Sequence, residues 1–123
     1  MSRGPGCEIL SLERVIRIIE GLGLKRTEAE VYVYLAKKGP LSAEEVVAIF
    51  NLSKQKLYRI LKKLQNIGVV NTEPKNPAIF KALVFEKALD LLIRANIEQA
   101  RAIEEIREEL LSNWHDNNEN DNT

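Results

Sequence analysis

The chain has 123 residues with 18 Lys plus Arg, 18 Asp plus Glu, one His, one Cys and 45% hydrophobic residues, which suits one folded domain and is too short for two ordinary cores. The single thiol, Cys7, excludes an internal disulfide scaffold and fits a reduced, cytoplasmic compartment; no run nears the ~18 apolar residues of a membrane span, and the start lacks a signal-peptide apolar region. The zero net charge is a cancellation: residues 1–50 hold seven basic and seven acidic side chains, residues 51–85 seven against one, and residues 86–123 four against ten, so the segments carry 0, +6 and −6.

In chain order, residues 1–7 are Gly/Pro-rich and predicted flexible. Ile9, Leu12, Val15, Ile16 and Ile19 fall at helical spacing and predict an amphipathic helix ending near Gly21 and Gly23. Thr27 with Glu30 predicts the capped start of a second helix, whose apolar stripe Ala29, Val31, Tyr32, Leu35 and Ala36 runs up to Gly39-Pro40. Tyr32 and Tyr34 are expected at the core and its margin. Ser42 with Glu45 repeats the capping pattern and opens a short helix through Val46, Val47 and Phe50 to Asn51.

Ser53 opens a fourth helix. Leu57, Ile60, Leu61 and Leu64 share one stripe, extended by Ile67 and ended by Gly68. At about 100° per residue, Gln55, Arg59, Lys62 and Asn66 project opposite that stripe, with Lys56 and Lys63 on one flank and Tyr58 on the other.

The period then changes. Val69–Glu73 and Ala78–Val84, joined by Pro74-Lys75-Asn76-Pro77, predict a β-hairpin with Lys75 and Asn76 at its tip. From Phe85 to about Ser112 a long helix is expected, with Leu89, Ile93, Ile97, Ala100, Ile103, Ile106 and Leu110 forming one apolar seam. Residues 113–123 are Asn/Asp/Glu-rich and predicted disordered.

This order predicts a mainly α fold with a small β-hairpin. It is a winged helix-turn-helix over residues 8–85, with an N-terminal helix, followed by a dimerisation helix over 86–112 and a polar tail over 113–123. A helix of this kind matches the width of the DNA major groove; its cations reach phosphates on either side, and amide or guanidinium groups pair with base edges.

Several residues resemble a known family, the N-terminal DNA-binding domain of TrmB-like archaeal transcriptional regulators. The likeness lies in Gly23-Leu24, Glu28-Ala29, Val31-Tyr32, Leu35, Gly39-Pro40-Leu41-Ser42-Ala43 and Glu45. It continues through Ser53, Leu57-Tyr58, Leu61, Leu64, Gly68-Val69, Pro77, Phe80 and Ala82. Phe80 stands where the family usually has a wing Tyr. The sugar-binding domain of full-length members has no counterpart here, so carbohydrate sensing is not expected to transfer.

By chemistry, Gln55, Arg59 and Tyr58 are candidates for base edges. Lys54, Lys56, Lys62 and Lys63 are candidates for phosphates, as are the caps Ser42 and Ser53; Lys75, Asn76 and Lys81 are wing candidates. The expected partners are double-stranded DNA and a second copy of the chain, the latter through Leu89, Ile93, Ile97, Ala100, Ile103, Ile106 and Leu110 together with Ile9, Leu12, Ile16 and Ile19. No membrane, cofactor or small-molecule effector is expected. Clustered Glu104, Glu105, Glu108 and Glu109 read as a solvated helix face, His115 lacks a second metal ligand nearby, and no phosphate loop or nucleophile motif occurs, so no enzyme is expected. Two alternatives share the fold: a winged-helix protein-docking module and a chromatin protein that coats DNA without sequence preference.

Overall fold

The structure, a computed structural model, describes residues 12–121, with side chains through residue 117. Cys7, Ile9 and the N-terminal residues 1–7 lie outside the described residues. The elements are α1 (Glu13–Gly21), α2 (Arg26–Lys38), β1 (Leu41–Ser42), α3 (Ala43–Phe50), α4 (Lys54–Ile67), β2 (Val70–Glu73), β3 (Ile79–Ala82), α5 (Phe85–Glu105) and α6 (Arg107–Asp121). The chain divides into two units, one ending at Ile93 and one beginning at Arg94.

The first unit is a winged helix-turn-helix. Its core is built from one stripe of each helix: Ile16 and Ile19 of α1, Ala29, Tyr32 and Leu35 of α2, Val46 of α3, and Leu57, Ile60, Leu61 and Leu64 of α4, all buried. The expected α4 stripe is therefore the buried one. Ile16 and Ile19 were expected at a dimer interface, and this is corrected: they are 3% and 0% exposed within the chain's own core, and Leu12 packs against it in part. α1 closes the core of this unit, which leaves Ile16 and Ile19 no surface to offer a second copy.

The sheet has three antiparallel strands in the order β1-β3-β2. The hairpin was expected; the two-residue β1 was not. Leu41 pairs with Phe80 and Ser42 with Ile79, while Thr72 faces Phe80 and Val70 faces Ala82 on the other side. Phe80 is thus in the central strand and buried, so the residue at the family's wing-Tyr position serves the core. Tyr32 ties the helices to the sheet by donating its hydroxyl to the Leu83 carbonyl at 2.6 Å, and burial pushes its phenol up to about 12. Tyr34 meets Phe50 edge-on at 5.6 Å between ring centres.

The start of α2 differs from expectation. Lys25, not Thr27, is the N-cap, and its backbone N–H donates to the Glu28 carboxylate at 2.7 Å. Glu30 instead accepts from Arg26 at 3.4 Å. Arg26 also grips Glu13 with two guanidinium bonds of 2.6 Å, joining α2 to α1.

α5 contributes Ala88 and Leu92 to the core of the first unit, with Leu91 packed against it in part, and Leu89 is half-buried. In the second unit, Ile97, Ala100, Ile103, Ile106 and Leu110 are exposed. Sequence spacing predicts one helix to about Ser112, but the structure separates α5 from α6 at Ile106, whose N–H bonds to the Ile103 carbonyl, three residues back, at 3.1 Å. Apolar residues at 97, 100, 103 and 106 repeat every three positions, shorter than the helical 3.6. Asn113–Asp121, expected to be disordered, continues as α6. Its backbone bonds are internal to the helix and Glu108 and Glu109 sit in its favourable first turn, so a polar composition does not preclude it.

Candidate nucleic-acid interface

The approach to α4 is set by α3 and the turn after it. Ser42 caps α3: its hydroxyl accepts from the Glu45 N–H at 3.3 Å, and the Glu45 carboxylate accepts from the Ser42 backbone N–H at 3.2 Å. Asn51 then adopts a left-handed conformation, φ 53°, which ends α3 and redirects the chain. Ser53 caps α4 by accepting from the Lys56 N–H at 3.1 Å. At the far end Gly68, φ +100°, closes the helix through bonds to the Leu64 and Gln65 carbonyls.

Between these caps, Lys54, Gln55, Tyr58, Arg59 and Lys62 line an open depression of about 450 Å³. They sit at i, i+1, i+4, i+5 and i+8, so the surface belongs to the outer face of one helix. All five are exposed, Tyr58 by 52% of its surface. Among the described residues no carboxylate pairs with Arg59 or Lys62. Lys54 has one distant partner, Glu44 at 3.9 Å, with both side chains largely in solvent. The arrangement exposes one amide, Gln55, and one guanidinium, Arg59, groups of the kind that pair with base edges, flanked by lysines of the kind that meet phosphates.

The other candidates divide. Lys56 and Ser53 are exposed at the N-terminus of α4, while Lys75, Asn76 and Lys81 are exposed on the wing, with Lys75 3.3 Å from Glu73. Ser42 does not belong with them: it is 6% exposed, and its hydroxyl is spent on Glu45. Lys63 does not either. Its ammonium donates to the buried Glu28 carboxylate at 2.9 Å and to the Gly23 carbonyl at 3.4 Å, because its flank of α4 meets the start of α2. Helical projection places Lys63 beside Lys56 but says nothing of a partner 35 positions away; an acidic residue embedded in the apolar pattern of α2 was the only trace.

Residues 19–86, more than half of the chain, match the family described as sugar-specific transcriptional regulator TrmB. The chain belongs to the TrmB family. The match stops at the start of α5, so the second unit lies outside it. No curated protein sequence matches. Among solved structures the chain is similar to TrmBL2, an archaeal chromatin protein whose structure shows a novel mode of DNA binding. Identity is 20%, the TM-score is 0.67, and the alignment covers 85% of this chain and 40% of that one. It therefore spans well under half of that protein's length. It is also similar to ST1889 from the thermoacidophilic archaeon Sulfolobus tokodaii, with 23% identity, TM-score 0.59, and 77% and 97% of the two chains covered. MarR from E. coli follows with 14% identity, TM-score 0.53, and 88% and 86% covered. At these identities the likenesses establish the winged-helix fold of this TrmB-family chain. Among the described residues no helix is long and apolar enough to cross a membrane.

Proposed function

We propose that the protein is a homodimeric, cytoplasmic transcriptional regulator that binds double-stranded DNA by sequence, with α4 in the major groove and the wing tip on the backbone. The observation that carries this reading is the outer face of α4, where Arg59 and Lys62 stand exposed and without carboxylate partners among the described residues beside Gln55 and Tyr58. Membership of a regulator family and the excess of six positive charges over residues 51–85 support it. Phosphate contacts fall to Lys54, Lys56, Lys62 and Lys75, and base contacts to Gln55 and Arg59. The exposed seam Ile93, Ile97, Ala100, Ile103, Ile106 and Leu110 supports pairing of two copies. A pair would read a pseudo-palindromic site with half-sites roughly 34–36 Å apart, or a multiple of that.

The test is fluorescence anisotropy across a salt series, using a duplex selected from a random pool and a scrambled duplex. With ~8 phosphates neutralised per dimer, log affinity against log salt slopes at about −7. Arg59→Ala costs about 1–3 kcal/mol on the selected duplex and relaxes preference there, whereas Lys62→Ala weakens both duplexes alike. A flat salt response removes the reading. The likeness to a chromatin protein favours a second reading, DNA coating without sequence preference. Its signature is a selected-to-scrambled affinity ratio near unity with the salt slope intact.

A further inference from the structure

The Lys63 ammonium is held at a junction of three segments. Glu28 is 6% exposed, and its Oε1 accepts both the Lys25 backbone N–H at 2.7 Å and Lys63 Nζ at 2.9 Å. Lys63 Nζ also donates to the Gly23 carbonyl at 3.4 Å. One carboxylate oxygen thus joins the loop after α1, the first turn of α2 and the C-terminal half of α4. A buried carboxylate requires such a partner, since burial without one is costly.

The neighbour of Lys63 is Lys62, which lines the outward depression. Successive helical residues are fixed about 100° apart, so pinning one sets the azimuth of the other, and of Arg59 and Gln55 on the same rigid helix. The buried leucine stripe decides which face of α4 turns inward, and a directional contact on its flank narrows the rotation that remains. A charge-assisted hydrogen bond is directional and short. We infer that the Glu28–Lys63 pair is a positioning device: it narrows the rotation of α4 about its own axis and thereby sets which side chains meet the bases. This rests on the reading of α4 as the DNA-contacting helix. Lys63 itself then touches no phosphate.

The full chain and its Lys63→Met, Lys63→Arg, Glu28→Gln and Lys62→Met variants are compared by anisotropy on selected and scrambled duplexes across a salt series. Thermal melts establish that each variant is folded at the assay temperature. Lys63→Met and Glu28→Gln are expected to lower the selected-to-scrambled ratio about tenfold, the scale of one good base contact. Their salt slope stays at the wild-type value. Lys63→Arg restores the ratio. Lys62→Met instead reduces the slope by about 2, one phosphate per subunit of a dimer, and keeps the ratio. Should Lys63→Met fail to fold, Glu28→Gln against Lys63→Arg decides.

The inference is overturned if Lys63→Met lowers the slope as Lys62→Met does, or if Glu28→Gln keeps the wild-type ratio. A flat salt response of the wild-type chain overturns the DNA reading and this inference together. An intact wild-type response with an unmoved ratio in Glu28→Gln overturns the positioning role alone.

Discussion

The two units treat their apolar side chains in opposite ways. In the first, α4 hides Leu57, Ile60, Leu61 and Leu64 at 6% exposure or less and turns its cations outward. In the second, Ile97, Ile103, Ile106, Leu110 and Trp114 stand 44–62% exposed on helical segments, and no residue with a described side chain is buried. Both carry apolar residues at roughly helical spacing, and among the described residues only the first unit buries them within itself. A helix gains most of its stability from tertiary packing of such a stripe. The contrast teaches that the sign of the charge and the fate of the apolar face go together here: the unit with a complete core belongs to the basic, family-matched part, and the acidic part retains an uncovered seam.

The sharpest way to break this comparison is to charge the seam. If two copies pair through it, an Ile103→Lys, Leu110→Lys double variant shifts the chain from dimer to monomer in sedimentation velocity. The four half-exposed side chains still to be buried in a dimer correspond to about 3 kcal/mol, or ~100-fold in dissociation constant. The thermal transition of the first unit stays in place, since Leu92 and Ala88 remain untouched. An unchanged sedimentation coefficient would mean that the exposed stripe is not a pairing surface.

A smaller effect sharpens the other half of the comparison. Gly68 ends α4 at φ +100°, a conformation that side chains with a Cβ resist, while an added Cβ would meet only Leu91 Cδ1 at 3.4 Å. The cost of Gly68→Ala is therefore backbone strain, about 1–2 kcal/mol, rather than a clash. Denaturant unfolding of the first unit reads it as a lower midpoint with unchanged slope.

What was legible in the sequence follows from how local each interaction is. The caps at Ser42 and Ser53, the stop at Gly68 and the buried stripe of α4 depend on residues within four positions of one another, and each stands where the pattern put it. The surface of Lys54, Gln55, Tyr58, Arg59 and Lys62 follows from that same stripe, since the outward face is its complement. The two-residue β1 was hidden because its only signal is pairing with Phe80 and Ile79, almost forty positions away. Lys63 was misread for the same reason, its partner lying on another helix, and Ile16 and Ile19 because periodicity identifies an apolar face without saying whether this chain or a second copy covers it. The Thr27 cap failed locally. Lys25 is a weak capping residue by type, and Glu28 supplies the missing acceptor from inside the helix.

Charges repeat the contrast on a smaller scale. In the first unit Arg26 binds Glu13 across 13 positions and so links α2 to α1, whereas the one ion pair within the second unit among the described residues, Arg107 with Glu108, joins neighbours and bridges no elements. Hydrogen bonds from Arg26 and, less, Arg17 hold the Glu13 carboxyl down at about 2 against an ordinary value of 4.5. A carboxyl depressed on folding contributes stability that is fully present above pH 4.5 and is lost as pH falls toward 2. Both side chains are partly in solvent, so screening keeps the contribution modest. Melting temperatures measured from pH 7 to pH 2 should fall more steeply below pH 4.5 in the wild type than in Glu13→Gln, with the two curves converging at the acid end. Arg17→Ala should flatten the acid limb less, because Arg26 supplies the two shorter bonds. Arg107→Gln should leave the melt of the first unit where it is, since that pair spans no interface between helices. If Arg107→Gln moved the transition as far as Glu13→Gln, charge in the second unit would be holding structure together, and the contrast between the units would fail.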